Sequence, residues 1–144
     1  MDLSDGISIL PVYRSRTEWR AMLPGNIFNI MRLGHTEPPF TGELWQNQTS
    51  GTYHCAGCGL AVFSSAHKFD SGTGWPSFFD IAAPRHVRNQ MDTSHKELRV
   101  EVHCGRCHSH LGHVFPDGPH PSGLRYCLNA LSLTFQPQAK SDAS

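Results

Sequence analysis

The sequence lacks an excess of charge of either sign. Its 144 residues include 12 lysines and arginines and 12 aspartates and glutamates, which gives a formal net charge of zero with histidine neutral. A chain without net charge has no long-range field that would attract a polyanion or an acidic membrane surface. We therefore expect neither nucleic acid nor a membrane among the partners of this protein.

Long hydrophobic runs are absent as well. The only apolar run near the start of the sequence extends from Ile7 to Val12, contains Pro11 and has no basic residue before it. It is too short for a signal peptide or a transmembrane helix. We therefore expect a soluble, cytoplasmic protein.

The length of the chain suits one domain with one compact core. We place this domain at residues 16–135. Residues 1–15 show no sustained hydrophobic period and residues 136–144 are polar, so both segments are expected to be mobile. We also expect the protein to be a monomer.

Helical patterns occur only near the start of this domain. Thr17 and the residues after it favour a short capped helix around Trp19, and Ile27, Ile30 and Met31 favour a second helix. Further along the chain, clusters of glycine and proline separate short β-rich runs. The candidate strands are Thr52–Cys55, Ala61–Ser64, Ser77–Ile81, Val87–Met91, Leu98–His103, Leu111–Phe115 and Leu124–Phe135, the last one open to division. The pattern predicts a mainly β fold, either a small sandwich or a partly closed barrel.

The sequence also lacks the even number of cysteines that a fully disulfide-bonded protein would have, since it contains five. Four of the five form two CxxC pairs, CAGC at Cys55 and Cys58 and CGRC at Cys104 and Cys107, while Cys127 stands alone. An odd number argues against a closed disulfide framework, and such pairs in a cytosolic protein more often bind metal. Four thiolates fill the tetrahedral shell of Zn²⁺, which predicts one structural zinc that joins the two knuckles. Two disulfides, a redox dithiol and chance spacing are the alternatives.

The remaining cysteine lies in the segment RYCLN. Alternation along a strand places Arg125, Cys127 and Asn129 on one face. A nearby guanidinium favours thiolate over thiol, and the thiolate is the nucleophilic form. Cys127 is therefore a candidate nucleophile, with a buried free cysteine in a core strand as the alternative.

Histidines and an aspartate cluster in HSHLGHVFPDGP, at His108, His110, His113 and Asp117. Histidine is suited to donate a proton near neutral pH, and an aspartate can orient it. The cluster can thus supply a general acid. The alternative is that these histidines are zinc ligands, neighbours of the zinc ligands or surface residues.

A third cluster, KFDSGTGWPSFF, bends at two glycines on either side of Thr73 before it reaches Trp75. Such a loop can present a flat apolar wall, and aromatic rings contact sulfur and its methyl groups favourably. Trp75 is therefore a candidate binding residue for a thioether or a methyl group. A tryptophan buried in the core is the alternative.

Three blocks, FDSGTGWPSF, HLGHVFPDGP and GLRYCLNALSLTF, closely resemble the methionine sulfoxide reductase B family, as does HTEPPFTGELW upstream. The resemblance extends from about Arg16 to Phe135 and includes both CxxC pairs. It implies a fold of two antiparallel sheets with the zinc distant from the active face. It also implies reduction of the R epimer of methionine sulfoxide in peptides or proteins.

The resemblance further implies roles for individual residues. Cys127 would be the nucleophile and Trp75 would form part of the pocket for the substrate methyl group. The other residues that would line the site are His110, His113, Arg125 and Asn129, and Asp117 matches a family position that supports them. His113, assisted by His110, would protonate the departing oxygen, and Cys127 would be left as a sulfenic acid.

The sequence departs from a common family pattern at Thr73. Many members carry a resolving cysteine in the corresponding loop, SGCGWPSF, and that cysteine forms a disulfide with the nucleophile for thioredoxin to reduce. Because the other four cysteines are assigned to zinc, we expect thioredoxin, glutaredoxin or a small thiol to attack the Cys127 sulfenic acid directly.

Two other functions fit parts of the pattern. A non-catalytic zinc-bound module that binds a ligand on the same scaffold could keep Trp75 and the knuckles, but it would not need Cys127 between Arg125 and Asn129. A zinc-ribbon adaptor for nucleic acid would need a basic face, which the balanced charge does not supply. The reductase is the favoured interpretation.

Overall fold

Nine short strands provide most of the regular structure in residues 9–93 and 99–138, the part of the chain that the computed structural model describes. In chain order they are β1 (Gly51–Cys55), β2 (Ala61–Ser64), β3 (Lys68–Phe69), β4 (Ser77–Phe78), β5 (Val87–Asp92), β6 (Arg99–Cys104), β7 (His110–Phe115), β8 (Arg125–Leu128) and β9 (Leu133–Pro137). They form two antiparallel sheets, one with the order β2-β1-β9 and one with the order β3-β4-β8-β7-β6-β5. The predicted mainly β fold with two antiparallel sheets is confirmed.

Two short helices precede the strands, α1 at Arg16–Met22 and α2 at Gly25–Leu33. The Ser15 hydroxyl accepts a hydrogen bond from the Glu18 amide, and the Glu18 carboxylate accepts one from the Ser15 amide. This reciprocal capping box fixes the start of α1. Both predicted helices are present, although the N-cap is Ser15 and Thr17 lies inside the helix.

The two sheets pack against each other through aromatic side chains. Tyr53 and Phe63 from the smaller sheet contact Phe78 of the larger sheet, with ring centroids 5.0 Å and 4.7 Å apart, and Phe63 also lies 5.6 Å from Tyr126 on β8. All four rings are buried, so this layer is a core that both sheets share. Because Tyr126 points into the core, its neighbours Arg125 and Cys127 point out of it.

The long predicted strand Leu124–Phe135 is divided. β8 ends at Leu128, a 3-10 turn follows at Ala130–Ser132, and β9 then joins the other sheet beside β1. Buried Ser132 donates a hydrogen bond to the His110 carbonyl and stabilises this crossing between the sheets.

Most of the other predicted strands differ from the structure by one or more residues at their ends. Ser77–Ile81 is shortened to Ser77–Phe78, because only these two residues pair with β8. The predicted strand Leu98–His103 corresponds to β6 from Arg99 onwards, and Leu98 lies outside the described residues.

A β-bulge interrupts the pairing of β6 with β7. Val102 pairs with Gly112, but the next residue, His103, pairs with His110, so Leu111 is the extra residue on β7. A bulge shifts the alternation of side chains by one residue. His110 and His113, three apart in sequence, therefore point to the same side of the sheet, with their ring centroids 5.4 Å apart.

The predicted mobility of residues 1–15 and 136–144 stays a prediction, and 1–8 and 139–144 lie outside the described residues. Of the remainder, Val12 donates a backbone hydrogen bond to the Arg106 carbonyl, and β9 extends to Pro137. Neither helix in the described ranges has the length and apolar character needed to span a bilayer.

Candidate active site and metal centre

The four knuckle cysteines converge on one point between the two sheets. Cys55 ends β1 of the smaller sheet and Cys104 ends β6 of the larger one. Cys55 Sγ lies 3.6 Å from Cys107 Sγ, and Cys58 Sγ lies 3.5 Å from Cys104 Sγ. Each close pair thus joins different knuckles, at a separation well beyond the roughly 2.05 Å of a disulfide bond. This geometry is not that of two disulfides.

The cluster has the dimensions of a tetrahedral metal site. Sulfurs about 2.3 Å from a Zn²⁺ ion lie about 3.8 Å apart, close to the separations found here, and all four sulfurs lie within 4.8 Å of one another. The backbone amides of Gly57 and Arg106 point at the Sγ atoms of Cys55 and Cys104, each from 3.4 Å. Such hydrogen bonds stabilise thiolate charge. The four cysteines can therefore hold a metal ion.

A cation lies beside this cluster. Arg32 on α2 donates hydrogen bonds to the Cys107 carbonyl at 2.9 Å and to the Ser109 hydroxyl at 3.0 Å, and that hydroxyl lies 3.1 Å from Cys107 Sγ. The guanidinium also stacks on the buried Trp19 ring, 4.7 Å from its centroid. The two helices thus cover the cluster and supply a positive charge that offsets part of the charge of the thiolates.

Cys127 lies on the other side of the larger sheet and opens onto a cavity of about 450 Å³. The side chains around this cavity come mainly from β6, β7, β8 and the loop before β4. They are Thr36, Thr73, Trp75, Arg99, Gly112, His113, Phe115, Arg125, Cys127, Leu128 and Asn129. Cys127 on β8 is the antiparallel pairing partner of His113 on β7. The cysteine is therefore accessible and lies beside both an imidazole and an indole.

The cavity and the cysteine cluster lie on opposite faces of the larger sheet. Arg99 at the start of β6 lines the cavity, and Cys104 at its end belongs to the cluster. The two residues are five positions apart on the strand, so their side chains point to opposite faces. The candidate active site and the candidate metal centre are therefore distinct.

Burial raises the pKa of the Cys127 thiol above its ordinary value. The Arg125 guanidinium and a hydrogen bond with Thr73 lower this pKa, but they do not outweigh the loss of solvation. Arg125 thus lowers the pKa of Cys127, as the sequence predicted, but the net change in this pKa is an increase and not the predicted decrease. Cys127 is a protonated thiol near neutral pH when the cavity holds no substrate.

The loop before β4 places Trp75 at the cavity. Gly74 has φ +92° and its carbonyl accepts a hydrogen bond from the Phe40 amide at 2.8 Å. A Cβ atom at position 74 would lie 2.7 Å from the Phe40 nitrogen, so a side chain does not fit there. The half-buried Trp75 indole donates to the Glu37 carbonyl at 3.0 Å, which fixes the plane of the ring.

The backbone of Glu37 forms hydrogen bonds with the side chains of both Asn129 and Trp75. Its amide donates to Asn129 Oδ1 at 2.9 Å, while Asn129 Nδ2 donates to the Leu111 carbonyl at 3.2 Å. The Glu37 carboxylate accepts a hydrogen bond from the Leu131 amide at 2.9 Å. This buried residue therefore connects three parts of the chain around the cavity, a role that the sequence analysis missed.

The Glu37 carboxylate gives a pH-dependent prediction. Burial raises its pKa, so the folded state binds this proton more tightly than the unfolded state, and this part of the stability is lost as pH rises through the folded pKa. We expect Glu37→Gln to gain stability relative to the wild type between about pH 4.5 and about pH 8. Urea unfolding at both pH values measures this difference, and a difference independent of pH would contradict it.

The matched variant Glu37→Ala removes the acceptor instead of the charge. The Leu131 amide then loses its partner, which is expected to cost about 1–3 kcal/mol of unfolding free energy. Glutamine keeps an oxygen in that position, so only the alanine variant should show the loss at about pH 4.5, where the raised pKa of Glu37 favours the protonated carboxyl group in the folded state.

The two histidines have different surroundings. His110 is 5% exposed, and burial, the largest effect, lowers its pKa to about 4 despite the opposing charge of Glu101. His113 Nε2 lies 3.0 Å from Asp92 Oδ2, and its ring lines the cavity. His110 is therefore neutral near pH 7, whereas His113 has a carboxylate that can stabilise a positive charge on its ring.

Arg125 and Asp117 form a bidentate ion pair. Arg125 Nε and Nη2 donate to the two carboxylate oxygens of Asp117 at 2.8 Å and 3.1 Å. The guanidinium also lies over the Phe115 ring, 4.4 Å from its centroid. Asp117 is exposed and is not among the residues that line the cavity, and the ion pair links it to Arg125, which does line it.

Three charged residues near the cavity were missed together with Glu37. Arg99 lines the cavity, Glu101 lies beside His110, and Asp92 contacts His113. Part of this arrangement could have been predicted from the sequence, because Arg99 and Glu101 alternate with valines on β6 and so share one face of the strand. The sequence does not show that this face of the sheet is the one on which Cys127 lies.

Comparisons with a family model and with individual known proteins point to the same family. The SelR domain family matches residues 23–137. A peptide methionine sulfoxide reductase MsrB from Thiobacillus denitrificans is 52% identical over 125 residues, which are 87% of this chain and 95% of that protein. The MsrB proteins of Methanosarcina barkeri and Pseudomonas paraeruginosa are 50% and 53% identical, over 88% and 83% of this chain and 89% and 91% of their own lengths.

Proposed function

The chain belongs to the methionine sulfoxide reductase B family, and we propose that it reduces the R epimer of methionine sulfoxide in oxidised peptides or proteins. It is thus an oxidoreductase that repairs oxidative damage. The observation that carries this proposal is the accessible Cys127 in a cavity shared with Trp75 and His113.

The Cys127 sulfur attacks the sulfoxide sulfur and forms a sulfur–sulfur bond. The protonated oxygen is then transferred from the substrate sulfur to Cys127 Sγ as the S–O bond of the substrate and the sulfur–sulfur bond break, which releases methionine and leaves Cys127 as a sulfenic acid. Cys127 is oxidised by two electrons, the sulfoxide sulfur is reduced by two, and the thiol proton ends on the sulfenic acid, so the step needs no other reductant. Because Cys127 is protonated before substrate binds, a base must take its proton as the attack begins.

We assign the proton transfer to His113, with His110 assisting. His113 lies beside Cys127 across the strand pair and is held by Asp92, so its ring can accept the thiol proton and deliver one to the oxygen. His110 is not among the residues that line the cavity, and we assign it a supporting role through its ring contact with His113, at a centroid distance of 5.4 Å. Arg125 and Asn129 provide donors that stabilise charge on that oxygen.

Trp75 is the proposed contact of the substrate methyl group. Its indole forms one wall of the cavity and is fixed by the Glu37 carbonyl, which leaves the ring face for an apolar group. The lining also includes the guanidinium group of Arg125 and the imidazole of His113. A sulfoxide of one handedness can then direct its methyl group at the ring and its oxygen at the donors.

Turnover on the separated epimers tests this function. We expect kcat/KM for the R epimer of a methionine sulfoxide peptide to exceed that for the S epimer by at least about 100-fold, because the S epimer directs its oxygen away from the general acid. Dithiothreitol serves as the reductant, and Cys127→Ser serves as the blank. Equal rates on both epimers would refute the assignment.

A thiol from outside the chain restores the enzyme. The sulfenic acid reacts with one thiol to form a mixed disulfide and water, and a second thiol then releases Cys127. Thioredoxin, glutaredoxin and small thiols all have this chemistry. We propose direct attack, since the other four cysteines cluster in the metal centre and Thr73 occupies the loop beside Cys127.

Thr73→Cys should convert this cycle into one with a resolving thiol. Thr73 and Cys127 line the same cavity and the Thr73 side chain lowers the pKa of Cys127, so we expect a sulfur at position 73 to lie within reach of the sulfenic acid. After one turnover we expect about one disulfide per chain between positions 73 and 127 in the variant and none in the wild type or in Thr73→Ser. Peptide mapping by mass spectrometry measures this, and a wild-type disulfide that includes Cys127 would contradict direct attack.

The metal centre is proposed to hold one structural Zn²⁺ per chain, with Cys55, Cys58, Cys104 and Cys107 as its ligands. Four thiolates leave no position for substrate, so the ion would contribute stability and take no part in the reaction. The cytoplasm, which keeps such thiols reduced, is the compartment we propose. We further propose that the protein acts as a monomer.

A further inference from the structure

Three metal-ligating side chains meet beside the bulge, apart from the cysteine cluster. Glu101 and His103 are two residues apart on β6 and so share a face of the sheet, and His103 pairs with His110 on β7. One donor atom from each of the three lies within 4.8 Å of the other two. The bulge is the cause of this convergence, since it turns His110 toward the face that Glu101 and His103 occupy.

His110 is the least satisfied member of this group. It is 5% exposed, and neither of its ring nitrogens makes a hydrogen bond within the described part of the chain. Leaving a buried polar group without a partner is destabilising, so such a group calls for a functional reason. Its Nδ1 atom points toward Glu101, whose Oε2 lies 3.4 Å away.

The contacts of the Glu101 carboxylate suit an ion that both of its oxygens bind. His103 Nε2 lies 2.8 Å from Glu101 Oε1, and His110 Nδ1 lies 3.4 Å from Glu101 Oε2. Nitrogen and oxygen ligands about 2.0–2.1 Å from one ion lie about 2.9–3.4 Å apart in octahedral or tetrahedral geometry. Two imidazoles and one carboxylate are also a recognised ligand set for divalent ions of the first transition row.

We propose that Glu101, His103 and His110 form a second metal site, which binds a divalent transition ion such as Co²⁺, Ni²⁺ or Zn²⁺ next to the active site. The site is distinct from the cysteine cluster, because His103 and Cys104 are consecutive on a strand and point to opposite faces. Its ligands are nitrogen and oxygen, whereas those of the cluster are sulfur.

An ion at this site inhibits reduction, an inference that rests on the proposed function. The charge of an ion on His110 disfavours a second positive charge on the His113 ring, whose centroid is 5.4 Å from that of His110. General acid catalysis contributes about 10²–10⁴-fold to a rate, so we expect occupancy to slow turnover at least about 10-fold. Removal of the ion with a chelator too weak for the cysteine cluster restores the rate.

Binding is tested with Co²⁺ added to zinc-loaded Cys127→Ser protein, which removes the nucleophile as a competing ligand. We expect about one Co²⁺ per chain, with the weak visible bands of nitrogen and oxygen ligation and no thiolate charge-transfer band in the near ultraviolet. Loss of a ligand in His103→Asn or Glu101→Gln should weaken binding at least about 10-fold, since even changes outside the ligand shell cost about 10- to 100-fold.

His54→Asn is the matched control, because His54 and His103 both directly precede the first cysteine of a knuckle. This control should bind Co²⁺ as tightly as the parent protein. Failure to bind, thiolate bands, or binding that His103→Asn leaves unchanged would overturn the proposed site.

Inhibition is measured separately, with each variant of the Cys127 protein compared with its own metal-free rate. Inhibition in the parent and in His54→Asn, but not in His103→Asn, supports the proposal. Metal binding that leaves an active enzyme uninhibited overturns the inhibitory role. A protein that binds Co²⁺ through nitrogen and oxygen yet reduces neither epimer refutes the proposed function and leaves the metal site standing.

Discussion

Cys127→Ser is expected to lower turnover of the R sulfoxide by at least about 1,000-fold, the scale of loss when a covalent nucleophile is removed. Serine is nearly the same size as cysteine, but its hydroxyl does not ionise near neutral pH and oxygen attacks sulfoxide sulfur poorly. The residue lies at the rim of the cavity and its side chain points away from the aromatic core. Initial rates with dithiothreitol measure the effect.

The fold is expected to survive this substitution. Cys127 belongs to none of the close sulfur pairs of the metal centre, so the variant should keep about one zinc per chain and a melting temperature within a few degrees of the wild type. Retained activity in a folded, metal-loaded variant would remove Cys127 from the mechanism.

Cys104→Ser is expected to have the opposite profile, with loss of zinc and a large loss of stability. The Cys104 sulfur lies at the end of β6 and connects the larger sheet to Cys58, which follows β1 of the smaller sheet. Binding of structural zinc contributes about 10–16 kcal/mol in small domains, which is comparable to the whole stability of an ordinary domain. We expect a loss of at least about 4 kcal/mol, or about 10–20 °C in melting temperature.

Cys127→Ser is the matched control here, because it also removes one cysteine but no proposed metal ligand. Metal content by atomic emission and unfolding by urea are measured on both variants and on wild type treated with a strong chelator. A Cys104→Ser protein that lacks metal and is as stable as the wild type would show that the ion is dispensable for folding.

The chemistry of short segments could be predicted from the sequence. The spacing of the CxxC pairs indicated one shared site, and in the structure the close sulfur pairs join different knuckles. Strand alternation in RYCLN correctly placed Arg125 beside Cys127 and Tyr126 on the opposite face. Both predictions depend only on residues a few positions apart, where backbone geometry fixes direction.

Contacts between distant segments could not be predicted in this way. Glu37 meets Asn129, 92 positions away, and no periodic pattern links them. The convergence of His110 and His113 depends on a bulge, which strand alternation alone does not predict. The pKa of Cys127 depends on how much of its hydration is lost, and burial here outweighs the Arg125 charge that the sequence made visible.

A single turnover without added reductant tests the central claim most directly. Fully reduced, zinc-loaded protein is mixed with excess R sulfoxide peptide, and the methionine formed and the oxidation state of every cysteine are quantified by mass spectrometry with a trap for sulfenic acid. We predict about one methionine per chain, one sulfenic acid at Cys127 and four unmodified knuckle cysteines. Methionine formed without oxidation of Cys127, or oxidation confined to the knuckles, would contradict the account.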